Sequence, residues 1–186
     1  MEQENHPGQK ERETARSIHI HKEIEEWIVS ILLAVVLAVF IRIFFFQVTI
    51  VEGTSMLPTL ENYERLIINK AVYHLKKPQK GDIVVFNFSS NRDFIKRIVA
   101  LEGDEVEIKE DQLYINGQIC EEPYLEIEYM PDFGPAIVPQ DHVFVLGDNR
   151  LDSMDSRDPT VGYVSIGRIR GKAALVFWPP INFRLL

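Results

Sequence analysis

Three stretches of the chain hold residue types that can do hydrolytic chemistry. The first is residues 51–60, VEGTSMLPTL, where Ser55 follows Gly53 and Thr54. Gly and Pro shape turns, so Ser55 reads either as a turn residue or as a nucleophile. A serine hydroxyl is a weak nucleophile until a neighbour takes its proton. The usual neighbour is a histidine, but the five histidines (6, 19, 21, 74 and 142) are scattered. His74 sits among Lys and Pro, and His142 opens an apolar run. The chain has no Gly-x-Ser-x-Gly elbow, no Ser-x-x-Lys and no His-Glu-x-x-His.

A lysine can replace histidine if burial lowers its pKa from about 10.4 toward 7. Such a lysine would lie inside an apolar strand, a costly place for a cation. The second stretch, DFIKRIVAL at 93–101, contains Lys96 and Arg97 in this setting. On a strand Lys96 shares a face with Phe94 and Ile98, and Arg97 with Ile95 and Val99. Alternation does not say which face is buried. Both cations could instead be solvated groups that guard an edge strand. Of the two only Lys96 can act as a base, because arginine keeps its proton. The third stretch, GDNRLDSMDSRD at 147–158, alternates Asp and Arg around Ser153 and Ser156. Taken alone it reads equally as a polar surface loop tied by ion pairs.

The elements that must position these residues follow from hydropathy. Residues 27–46, WIVSILLAVVLAVFIRIFFF, are 20 in number and carry one charge, Arg42. At about 1.5 Å per residue they span roughly 30 Å, one hydrocarbon core. Trp27 suits an interfacial belt, and the Arg42 stem can snorkel to headgroups. The run is longer than a signal h-region, and no small-residue cleavage site follows. It is therefore expected to be an uncleaved single-pass anchor. Arg12, Arg16 and Lys22 precede it closely, which favours a cytoplasmic N-terminus and an extracytoplasmic C-terminal domain. Residues 1–26 have seven Glu, four Lys or Arg and three His without apolar periodicity, and are expected to form a cytoplasmic polar tail.

From Gln47 to Leu186 short runs rich in Val, Ile, Phe and Tyr alternate with Gly, Pro, Asp and Asn turns. Asn116-Gly117 is a hairpin signal. No long amphipathic helix intervenes. The fold expected is mainly β: an antiparallel sheet domain over 47–186, with about 105–142 as a small inserted subdomain. The net charge of −8 argues against a nucleic-acid partner. The single cysteine, Cys120, excludes an internal disulfide and a Cys-based metal site. Neither a metal nor a cofactor is expected.

Read together and in order, GTSMLPTL, RLIINK, KRIVALEGDEV and GDNRLDSMDSR resemble the box pattern of the bacterial type I signal peptidases, in their Gram-positive-like branch. The resemblance covers the anchor and nearly all of 47–186. It implies a membrane-bound serine endopeptidase of Ser/Lys type that removes signal peptides from exported preproteins. The lipid bilayer is then a partner, and contact with the secretion machinery is compatible with that place. By the resemblance Ser55 is the nucleophile and Lys96 the general base. Ser153 orients the lysine, Asp155 and Arg157 buttress the site, and Asp148 lies nearby.

At Gly53 the Gram-negative branch carries a serine whose hydroxyl assists the oxyanion. Here the Ser55 N–H remains a donor, with a Gly53 or Thr54 backbone group or water as the second. Val51 and Ile95, matched by their offsets from Ser55 and Lys96, are candidate walls of shallow pockets for small side chains before the cut. Two rival readings fit the chain less well. A Ser/Lys self-cleaving repressor lacks an anchor, and an inactive anchored β-domain scaffold would be expected to lose Ser55 or Lys96.

Overall fold

The computed structural model describes residues 26–42, 44–90, 92–125 and 129–186. It divides into two compact units, Met1–Ile43 and Phe44–Leu186. In the first, residues 26–42 form a helix, α1, whose side chains are exposed throughout. Except for Glu26, which lies in α1, the polar tail expected over 1–26 lies outside the described residues. No helix among the described residues is long and apolar enough to cross a membrane. The single helix expected over 27–46 is also too long at its C-terminal end. Phe46 opens strand β1 (Phe46–Ile50) because its backbone pairs with Asn69 of β2 (Arg65–Asn69).

The second unit is mainly antiparallel β. After β2 come a short helix α2 (Val72–Leu75), β3 (Ile83–Ser89), β4 (Arg92–Leu101), β5 (Glu105–Lys109), β6 (Gln112–Ile115), β7 (Gln118–Ile119) and β8 (Phe133–Ile137). They are followed by β9 (His142–Leu146), β10 (Val164–Ser165), β11 (Ile169–Trp178) and β12 (Arg184–Leu185). The large sheet runs β1-β2-β11-β3-β4-β9-β10, with β12 beside β11, and the small one runs β7-β6-β5-β8. The small sheet falls within the inserted segment expected at about 105–142.

Local chemistry explains the turns. Asn116 and Gly117 both have positive φ, 55° and 73°, and join β6 to β7 in a two-residue hairpin. Glu110 and Asp111, at φ 51° and 63°, make a similar turn between β5 and β6. That turn divides a stretch whose Val, Ile, Leu and Tyr content reads as one run. Its signal is weak because Glu is an unusual residue at positive φ, whereas Asp and Asn are common there.

The large sheet buries both faces around β3 and β4. Val84 and Phe86 pack with Ile98, Val143 and Val145. Ile83 and Val85 pack on the other face with Val51, Met56, Leu60 and Ala173. Neighbouring positions of one strand therefore enter different cores. Lys96, opposite Val84, is 3% exposed, and Arg97, opposite Ile83, is 8% exposed. The reading of these two as solvated edge cations is excluded, since β4 lies between β3 and β9.

The C-terminal segment closes this core beside the 51–64 loop. Glu64, 1% exposed, receives two bonds from the Arg184 guanidinium, at 2.8 and 2.7 Å, and one from Asn182 Nδ2 at 3.0 Å. Arg184 also donates to the Thr59 carbonyl at 2.6 Å. Burial alone would raise the Glu64 pKa, but the bonds from Arg184, the Glu61 N–H and Asn182 hold it below the ordinary 4.5. Arg184→Ala leaves a buried carboxylate without its cation and is expected to lower stability by about 2 kcal/mol in urea unfolding. Because the folded pKa is depressed, the pair's contribution is present above about pH 4.5 and fades as pH falls through the folded value. The difference from wild type should shrink in the same window; a constant difference down to pH 3 would contradict the pair's role.

Candidate active site

Ser55 sits on a loop pinched at its base. The Val51 N–H donates to the Glu64 carbonyl at 2.8 Å, and the Tyr63 N–H to the Val51 carbonyl at 2.9 Å. Inside the loop, Leu57 N–H bonds Thr54 O and Leu60 N–H bonds Met56 O, winding the chain so that Met56 and Leu60 enter the core. Gly53 adopts φ 98°, a conformation L side chains rarely take. Its N–H donates to Asn62 Oδ1 at 3.0 Å. A backbone donor at Gly53 is thus already engaged within the loop, while among the described residues the Ser55 N–H donates to no protein group.

The 147–158 loop is stitched to this one. Asn149 donates through its N–H to the Ser55 carbonyl at 3.0 Å and through Nδ2 to the Thr54 carbonyl at 3.2 Å. Thr54 Oγ1 donates to Asp152 Oδ2 at 2.6 Å. Gly147 shows why the two loops come so close. A Cβ there would collide with the Ser55 carbonyl and with Ser153 Oγ.

Lys96 reaches the same point from β4. Its Nζ lies 2.5 Å from Ser55 Oγ, as donor when protonated. When the amine is neutral, the same contact lets Oγ–H donate to Nζ. Burial pushes the Lys96 pKa down from 10.5 to about 8; Asp155, Asp148 and Asp152 oppose that fall, and Arg157 adds to it. The lysine therefore carries a usable fraction of free amine near neutral pH.

The charged residues around the pair are arranged as ion pairs. Arg97 grips Asp148 with Nε and NH2 at 2.9 and 2.6 Å, and also donates to the Gly81 carbonyl and to Thr59 Oγ1. Asp155, fully buried, accepts from Arg157 Nε and NH2, both at 2.8 Å, and from the Gly147 N–H at 3.0 Å. Bidentate geometry makes such pairs rigid as well as strong. Ser153 lies against Gly147, and its Oγ is buried without a hydrogen-bond partner among the described residues. No bond links it to Lys96 here. His142, at the start of β9, bonds through Nδ1 to the Gln140 carbonyl at 2.7 Å.

A cleft of about 770 Å³ opens at the pair. Val48, Ile50 and Val51 line one side, and Phe94 and Ile95 another, with Asp152 and Met154 near Ser55 and Lys96. The structure thus gathers Ser55, Lys96, Gly53, Val51 and Ile95 around one space. Asp148, Asp155, Arg157 and Ser153 lie behind it. Sequence reasoning missed Arg97, Asn149 and Gly147 as parts of this assembly, and for Thr54 it missed the side-chain bond to Asp152. Arg97 stood in the motif but was set aside as unable to act as a base; its part is to tie strand β4 to two loops.

Comparison with known proteins follows the same lines. Residues 24–178 match the family model "Signal peptidase, peptidase S26". Signal peptidase I S of Bacillus subtilis (strain 168) is 44% identical over 169 residues, covering 85% of this chain and 91% of the relative. Signal peptidase I of Bacillus licheniformis is 41% identical over 175 residues, covering 88% and 94% respectively. A crystal structure of a signal peptidase I from Enterococcus faecalis V583 matches with 35% identity and a TM-score of 0.48, over 53% of this chain and 98% of that one.

Two outcomes follow from the geometry. A lysine whose pKa falls on folding costs stability while both states are protonated. For Lys96 that cost is full below about pH 8 and fades as pH rises toward 10.5. Lys96→Met should therefore be more stable than wild type by about 2 kcal/mol at pH 6.5, with the gap closing near pH 10.5. Urea unfolding at the two pH values measures it, and equal stabilities at pH 6.5 would contradict the burial cost. Gly147→Ala should cost about 1–3 kcal/mol by overpacking, and a wild-type midpoint would show that the two loops are free to part.

Proposed function

The chain belongs to the signal peptidase family, peptidase S26, and is a signal peptidase I-type enzyme; on that premise we propose that it removes signal peptides from exported preproteins with Ser55 as nucleophile and Lys96 as general base. The observation that carries this reading is the 2.5 Å contact between Lys96 Nζ and Ser55 Oγ, made by a lysine only 3% exposed.

The neutral Lys96 amine accepts the Ser55 proton as Oγ attacks the carbonyl carbon of the scissile bond. The tetrahedral oxyanion forms beside the Ser55 N–H. As that intermediate collapses, the C–N bond breaks and the Lys96 ammonium gives its proton to the leaving amine. A water deprotonated by Lys96 then hydrolyses the ester, releasing the signal peptide and restoring Ser55. Asp148, Asp155, Arg97 and Arg157 do not react; they fix the strand and loops that carry the two reacting groups. Ser153 is the hydroxyl assigned to orient the Lys96 ammonium; that its Oγ is buried without a partner among the described residues supports this role.

Substrate backbone enters as an added strand. β1 ends the order of the large sheet, so among the described residues its outer edge is open for pairing. Val51 and Ile95 narrow the cleft beside Ser55 and favour small side chains before the cut. The apolar segment from Trp27 up to the start of β1 anchors the chain in the bilayer, with the N-terminus cytoplasmic and the β domain outside. The continuous exposure of the apolar α1 side chains supports this, as do exposed Phe46, Val48 and Ile50 on β1.

Full-length protein in detergent or liposomes, given a preprotein, should cleave it once at a small residue. Ser55→Ala and Lys96→Ala should fold but lower kcat/KM by about 10⁴-fold or more. For the wild type the acid limb of the kcat/KM profile should fall near pH 8, since activity needs the free amine. Cleavage by Lys96→Ala at the wild-type rate, or a plateau reaching down to pH 5, would refute the Ser/Lys assignment.

A further inference from the structure

The reaction above uses nothing from the small sheet, yet a segment leaving that sheet lies directly on the charged groups behind the site. After β7 the chain runs through Glu121, Glu122, Pro123 and Tyr124, held by a bond from the Leu125 N–H to the Glu122 carbonyl at 3.0 Å. The Glu122 carboxylate grips Arg150, with NH1 to Oε2 at 2.7 Å and NH2 to Oε1 at 2.5 Å. Their side chains are 6% and 0% exposed, so both charges are largely shielded from water. The Tyr124 hydroxyl donates to the same carboxylate at 2.6 Å, and the Tyr124 ring covers the Arg97 guanidinium at 3.8 Å from its centroid.

Both arginines lead straight to the reacting pair. Arg150 Nε donates to the Gly147 carbonyl at 3.0 Å, and Gly147 packs on the carbonyl of Ser55. Arg97 follows Lys96 on β4 and holds Asp148. The two pairs sit side by side, each arginine held by its own carboxylate. Asp148 already attracts Arg150. Without Glu122, Asp148 is the carboxylate among the described residues that attracts Arg150, in competition with Arg97. Uncovering Arg97 would in turn let water weaken its pair with Asp148.

We propose that Glu122 and Tyr124 are positioning residues for peptide-bond cleavage: this strap from the small sheet assigns Arg150 to Gly147 and Arg97 to Asp148, and so keeps the Ser55 loop and Lys96 in register. The strap is thus the reason the small sheet bears on the reaction. The inference rests on the Ser/Lys reading given above.

The test compares kcat, KM and thermal midpoint for full-length wild type, Glu122→Gln, Tyr124→Leu and Lys96→Ala on one preprotein. Misplacement of reacting groups lowers kcat without weakening substrate binding. Glu122→Gln and Tyr124→Leu, assayed well below their midpoints, should lose roughly ten- to hundred-fold in kcat, with KM nearly unchanged. Tyr124→Leu keeps every ion pair and carries the test if Glu122→Gln does not fold. The double variant Glu122→Leu/Arg150→Met removes both buried charges, which should restore stability, but it should remain slow because Gly147 has lost its donor. A double variant as fast as wild type would mean that the pair only balances charge, and would overturn the proposal. So would normal kcat in both single variants while Lys96→Ala is inactive. Normal cleavage by Lys96→Ala would instead overturn the Ser/Lys reading itself.

Discussion

An amine with almost no exposure to water, 2.5 Å from a serine hydroxyl, is the contact on which the rest of this structure turns. Burying a cation is unfavourable, and the favourable response is for the group to lose its proton. That tendency is the source of the chemistry proposed for the pair. Too little burial would leave an ordinary lysine, charged and inert as a base. Full neutralisation by adjacent carboxylates would also keep the proton on. In this chain desolvation prevails: Asp155, Asp148 and Asp152 offset part of it, and Arg157 reinforces it, leaving a pKa of about 8.

A pair so dependent on position needs rigid supports, and the fold supplies them from three directions. Lys96 stands on β4, which is hydrogen-bonded on both sides by β3 and β9. Ser55 stands on a loop whose buried Met56 and Leu60 anchor it from below. Arg97 joins β4 to that loop through Thr59 and to the 147–158 loop through Asp148. The C-terminal segment adds Arg184 on the far side of the Ser55 loop. These bonds connect parts of the chain distant in sequence, so a shift in one is felt by the others.

The sequence made the mainly β architecture legible because its turn chemistry is strong, as at Asn116-Gly117. It also pointed to Ser55 and Lys96, since a lysine among Phe94, Ile95 and Ile98 is expensive anywhere but at a site that uses it. Three things were hidden. The first is burial on both faces of β4, because alternation describes one strand and the second face joins a core built from residues far along the chain, such as Val161. The second is the pairing of charges: Glu64 with Arg184 and Glu122 with Arg150 are separated by long stretches, and an isolated Glu in an acidic chain has no local mark. The third is the end of the apolar segment, where Phe46 is as hydrophobic as its predecessors but is claimed by pairing with β2. Ser153 is a different case. Its motif was legible, while its hydroxyl is buried and unbonded among the described residues, a detail no pattern of residue types contains.

The protonation state of Lys96 can be observed directly, without turnover. With lysine labelled at Cε, the Lys96 resonance in the full-length protein, assigned by its absence from Lys96→Met, would be followed from pH 6 to 11. A midpoint near 8, well separated from the other lysines, is the result predicted by a buried amine acting as base. A midpoint above 10, with the surface lysines, would contradict it.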